Sequence, residues 1–132
     1  MGTMLNYQYL VGIPFIDGGR TLQGFDCWGL VRYIYQQRGI QLPNYPIDPK
    51  DREAVHQAME DGAASSWKKV ETPREGDVVL LELAIGCANH VGVYIGHGDF
   101  IHAYGTSVVI DRLSHWQSRI VEFYRLKEGD HD

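Results

Sequence analysis

The spacing of apolar residues changes once along this chain. In the first part, Cys27, Leu30, Val31, Ile34 and Tyr35 recur every three or four positions, which predicts an amphipathic helix. Asp26 is placed to cap its start, because a carboxylate accepts from the free N–H groups of a first turn. Gly39 suits its end, so the helix should run to about Arg38. Asp48-Pro49 predicts a second helix start, with Ala54, Val55, Ala58 and Met59 on its apolar face and Gly62 beyond its end. Upstream, Tyr7, Tyr9, Leu10 and Val11 suggest a short helix or turn, and Asp17-Gly18-Gly19 a loop.

From Lys68 onward the spacing becomes that of strands, expected over residues 78–83, 90–95, 100–104, 108–111 and 120–126. A helical turn is expected over residues 114–118. Gly96-His97-Gly98-Asp99 joins two of the strands as a hairpin. Matching their apolar faces pairs Val93 with Ile101 and Gly92 with His102, and leaves an odd-numbered loop of the kind that uses a glycine bulge. His90 and His102 then share a face as diagonal neighbours, roughly 7–8 Å apart at the backbone. Tyr94 falls on that same face, and Gly92 leaves an opening beside His102. Helices first and a mainly antiparallel sheet second make the expected class α+β, with N-terminal helices packed on the sheet.

The chain has 132 residues, enough for one domain with one core, and its 44% hydrophobic and 22% charged residues are those of a globular protein. The expected domain is residues 1–132, with a core at about 9–126 and a tail at 127–132. A net charge of −5 with no basic stripe argues against a nucleic-acid partner. Two cysteines, Cys27 and Cys87, are too few for a disulfide-stapled scaffold. The first ten residues lack a basic stretch followed by an apolar run, so no signal peptide is expected, and no segment has the length of a membrane span. The expectation is a chain made in the cytoplasm.

Cys27 in the first turn of a helix sits among unpaired N–H groups at the positive end of the macrodipole, which should favour the thiolate. A cysteine nucleophile needs a base within reach, and the base needs a third group to hold its tautomer. Cys27, His90 and His102 fit those roles in that order. Against this stands a buried, inert cysteine with two ordinary strand histidines. Zinc is a rival, since Cys87, His90, His97 and His102 are four candidate ligands within a short stretch, but the spacing matches no common finger. No metal or organic cofactor is called for. His56, His115 and His131 read as surface residues, and Cys87 as a bystander.

Pro14-Phe15-Ile16-Asp17-Gly18-Gly19 followed by Gly24-Phe25-Asp26-Cys27-Trp28-Gly29-Leu30-Val31 resembles the N-terminal signature of the NlpC-type cell-wall peptidases. Gly76-Asp77-Val78-Val79, Asn89-His90-Val91-Gly92-Val93-Tyr94-Ile95-Gly96 and Phe100-Ile101-His102-Ala103 resemble that family's core strands, in the same order. The resemblance implies a compact papain-like fold, with Cys27 as nucleophile, His90 as base and His102 as orienting residue. It implies cleavage of peptidoglycan stem peptides, typically between D-glutamate and a diamino acid. Asp26, Trp28, Phe15 and Tyr94 are then expected on the substrate side. Phe15 stands where the family usually has Tyr, and lacks its hydroxyl. Trp28 replaces a common Ser, and should reshape the groove. The Asp-Cys-Trp-Gly-Leu form is more like phage tail members, so phage tail proteins are expected partners. The other readings are a structural tail component with weak or lost turnover, and an amidase or acyltransferase using the same three residues.

Overall fold

A computed structural model of the chain describes residues 7–42, 67–83 and 90–126. In chain order it contains β1 (Arg20–Thr21), β2 (Gly24–Phe25), α1 (Cys27–Gln37), β3 (Trp67–Val70), β4 (Val78–Leu81), β5 (His90–Gly96), β6 (Asp99–Tyr104), β7 (Ser107–Arg112) and β8 (Ile120–Leu126). Short 3₁₀ turns occupy Gln8–Leu10 and Leu113–Arg119. β1 and β2 form a small ribbon, and the other six strands form one sheet in the order β3-β8-β4-β5-β6-β7, antiparallel throughout. The second helix expected after Asp48 lies outside the described residues, as do Cys87, His56, His131 and the tail.

α1 begins where the sequence says it should. The Asp26 backbone is extended, and one carboxylate oxygen accepts from the Gly29 N–H at 2.7 Å. The first turn also packs against the ribbon. A Cβ at Gly29 would lie 2.0 Å from the Gly19 carbonyl oxygen, so only glycine lets helix and ribbon approach this closely. Leu30, Val31, Ile34 and Tyr35 face the sheet and join Val78, Leu80, Val91, Val93, Ile101 and Ala103 in the main core. Burying one such side chain stabilises the fold by about 1.5–3 kcal/mol.

The opposite face of the sheet has its own apolar cover. Val79, Leu81 and Phe100 pack there with Trp116, Leu113, Ile120 and Phe123, beneath the Leu113–Arg119 turn. β4 is therefore buried on both sides, which is why Val78–Leu81 is an unbroken apolar run. It stops at Leu81, short of the expected residue 83, because the pairing with β8 shifts between Leu80 and Leu81. The Glu82 N–H bonds the Arg119 carbonyl instead. At the other end of β4, buried Asp77 accepts from the Arg74 N–H and from Arg125 of β8, both at 2.7 Å, which ties two neighbouring strands together.

The β5–β6 hairpin has the expected register. Val93 pairs with Ile101 and Tyr94 with Phe100. The register then shifts so that Gly96 pairs with Asp99. Gly96, His97 and Gly98 all have positive φ at that turn. This is the glycine bulge foreseen from the odd loop length.

Candidate active site

Three elements, α1, β5 and β6, carry Cys27, His90 and His102. Cys27 is the first residue of α1, 7% exposed, and its sulfur is reached by the backbone N–H groups of Trp28 and Val91. Val91 follows His90 in β5, so the thiol lies against the start of that strand. In the same strand, Nε2 of His90 lies 2.8 Å from Nδ1 of His102 on β6, and both rings are buried. Gly92 makes room for this pair: a Cβ there would come within 2.8 Å of the Ile101 carbonyl oxygen and 3.0 Å of the His102 Cβ.

The polar chain continues past the three expected residues. Nε2 of His102 lies 2.8 Å from Oδ2 of Asp111, on β7. The Trp116 indole N–H donates to the same oxygen at 3.2 Å. Aromatic rings enclose His102: Phe100 at 4.4 Å, Trp116 at 5.1 Å, and Tyr104 stacked at 5.4 Å between centroids. Tyr104 also reaches His90 at 5.9 Å, and at 42% exposure it is the solvent-facing member of the cluster. None of Asp111, Trp116 and Tyr104 is among the sequence-expected site residues. Tyr104 alternates with His102 along its strand, and Asp111 follows from the length of the next turn, so both left a signal.

Burial reverses one expectation. The thiol of Cys27 is pushed up to about 12, first by desolvation and then by the adjacent Asp26 carboxylate. The N–H groups of Val91 and Trp28 pull the other way but do not win. The first-turn argument thus names a real effect and misses a larger one. His90 is held down to about 3 by burial and by the neighbouring His102, and His102 is also lowered by burial, with Asp111 acting against it. Burial thus favours the neutral thiol of Cys27 and the neutral imidazole of His90.

The expected substrate-side residues scatter. Asp26 is buried: one oxygen caps α1 and pairs with Arg20 at 2.6 Å, while Oδ2 has no partner among the described residues. Trp28 is 1% exposed within the core, so its indole shapes the packing of α1 and is not the wall of an open groove. Phe15 is half-buried and bridges Phe25, two residues before Cys27, which keeps it beside the strand–helix junction that carries Cys27. Tyr94 accepts from the Gly98 N–H at 2.9 Å and packs in the second apolar cluster, where it steadies the hairpin tip. His97 is exposed at that tip, and His115 is exposed on the 3₁₀ turn. Among the described residues no three His, Cys, Asp or Glu side chains are grouped as a metal site, and no helix is long and apolar enough to cross a membrane.

Residues 12–125 match the NlpC/P60 family, and the chain belongs to it. It is 33% identical over 112 residues to LytE, a probable peptidoglycan endopeptidase of Bacillus subtilis, covering 83% of this chain and 29% of that protein. It is 31% identical over 127 residues to the murein DD-endopeptidase/LD-carboxypeptidase MepS of Escherichia coli, covering 93% and 61%. Tail tip assembly protein K of Escherichia phage N15 is 29% identical over 125 residues, covering 88% and 51%. The chain thus spans less than two thirds of each of these relatives. The crystal structure of the NlpC/p60 domain of the peptidoglycan hydrolase SagA shares the fold, with a TM-score of 0.63 at 24% identity, over 90% of this chain and 91% of that one.

Proposed function

We propose that the chain carries a cysteine peptidase domain that hydrolyses peptidoglycan stem peptides, with Cys27 as nucleophile, His90 as base and His102 as orienting residue. The observation that carries this reading is the buried His90–His102 bond of 2.8 Å, with a thiol at a helix start held against the N–H of Val91, the residue after His90. The endopeptidase relatives support the substrate class, and a D-glutamyl–diamino acid bond is the target the motif resemblance favours. The tail tip relative supports a place in a phage tail.

The chemistry follows from a neutral resting pair. As the sulfur attacks the scissile carbonyl, its proton passes to the ring nitrogen of His90 that His102 does not occupy. The backbone N–H of Cys27 at the helix start donates to the developing oxyanion. His90 then gives its proton to the leaving amine, and the acyl-enzyme forms. His90 next takes a proton from water, whose oxygen attacks the thioester, and the thiol returns as the acid product leaves.

The deep burial of Cys27 favours one competing reading, a tail component whose turnover is weak or lost. Digestion of purified peptidoglycan, with mass analysis of the products, separates the two. New stem-peptide fragments should appear with wild type and vanish with Cys27→Ala. His90→Ala should be nearly as damaging, and His102→Ala should lose on the order of 10²-fold. Identical products from wild type and Cys27→Ala would refute the peptidase reading.

A further inference from the structure

We propose that Asp111 is a positioning residue of this site, fixing the tautomer of His102 and, through it, that of His90. The role in turnover rests on the peptidase reading; the tautomer assignment does not. An indole N–H can only donate, so the Asp111 Oδ2 that meets Trp116 Nε1 is an acceptor. A carboxylate oxygen accepts from His102 Nε2 as well, so that nitrogen carries the proton. In the neutral ring of His102, Nδ1 is then bare. The atom facing it at 2.8 Å, His90 Nε2, must therefore carry its own proton. That leaves the lone pair of His90 on Nδ1, the nitrogen free to face the thiol. With both imidazoles neutral, as burial favours, and Asp111 present as a carboxylate, any other assignment sets two N–H groups or two lone pairs against each other somewhere along the run from Asp111 to His90.

The position of Asp111 is set by the fold. Gly105 and Thr106 form the turn between β6 and β7, which pairs Tyr104 with Ser107, His102 with Val109 and Phe100 with Asp111. Asp111 is thus the diagonal neighbour of His102 on the same face. The packed rings of Phe100, Trp116 and Tyr104 oppose rotation of the imidazole. Without the carboxylate, His102 could protonate at Nδ1 instead. His90 would then present an N–H to the sulfur, and a protonated nitrogen cannot take the thiol's proton.

Long-range ¹H–¹⁵N correlation spectra of the histidine-labelled full chain test this directly. Wild type at neutral pH should show both rings protonated at Nε2. Asp111→Ala should show His102 shifted toward Nδ1 protonation, with kcat on a murein peptide down on the order of 10²-fold and KM little changed. Asp111→Asn should restore part of both, because its amide oxygen still accepts from His102 Nε2. Trp116→Phe should keep the wild-type tautomers. A folded Asp111→Ala that retains both Nε2 patterns overturns the proposal. So does a wild-type spectrum with His102 protonated at Nδ1, which decides the matter even if the alanine variant does not fold. A wild type that shows the expected tautomers yet cleaves nothing would instead sink the peptidase reading.

Discussion

Asp26 does two jobs that substitution can separate. Its Oδ1 caps α1 and pairs with Arg20, while its charge helps to hold the Cys27 thiol up. Asp26→Ala removes both effects; Asp26→Asn removes the charge and keeps an oxygen that can cap. Loss of the cap costs about 1 kcal/mol. The ion pair with Arg20, whose side chain is 18% exposed, adds up to about 1 kcal/mol. With an unfolding entropy of about 2.1 cal/mol/K per residue, a chain of this size loses roughly 3.6 °C of Tm per kcal/mol. Asp26→Ala should therefore melt about 7 °C lower, and Asp26→Asn about half as far below wild type. Both should lower the thiol pKa. Thermal melts followed by circular dichroism give the first quantity. Iodoacetamide labelling across pH, mapped to Cys27 by mass spectrometry, gives the second. If Asp26→Asn melts as low as Asp26→Ala, the capping argument is wrong. If Cys27 labels no faster in Asp26→Asn at neutral pH, the Asp26 charge does not reach the sulfur.

His90 makes stability depend on pH. Its pKa is about 3 in the fold against 6.5 ordinarily, so between those values the unfolded chain binds a proton that the folded chain refuses. Stability is then complete above about 6.5 and falls as pH drops toward 3, by at most about 1.4 kcal/mol per unit. Urea unfolding at several pH values should show this slope, and His90→Gln should flatten it; an equal slope in both proteins would refute the assignment. Gly92→Ala would set a methyl 2.8 Å from the Ile101 carbonyl oxygen and 3.0 Å from the His102 Cβ. It should cost about 1–3 kcal/mol and lower turnover by displacing His102, and wild-type stability with wild-type turnover would count against it.

Much of the frame was legible because it depends on local counting. Asp26, the apolar stripe through Tyr35 and Gly39 locate α1 to within a residue of its observed end at Gln37. The parity of β5 and β6 alone places His90 and His102 on one face, where their rings meet. The β1–β2 ribbon was not foreseen, because two-residue strands carry no period. The resemblance puts Trp28 on the substrate side, where it should reshape the groove, yet its side chain is buried in the core. The thiol's pKa was misread for a related reason: a helix start is visible in sequence, whereas desolvation is set by everything packed around it. Asp111 needed one more count, across Gly105 and Thr106, to emerge as a neighbour of His102.

The run from His90 to Asp111 behaves as a fixed-length cassette. Inserting or deleting one residue between His90 and Gly92, between Phe100 and His102, or between Val109 and Asp111 would turn a member of the polar chain to the opposite face. Length variation in related chains should therefore collect elsewhere, in turns such as residues 71–74, where longer loops cost little. The same property makes the three-strand meander portable. Grafted as a block onto another antiparallel sheet, it would carry His90, His102 and Asp111 in the same relation to one another. The recipient would have to supply a helix that brings a thiol to the first strand and an aromatic donor in the place of Trp116.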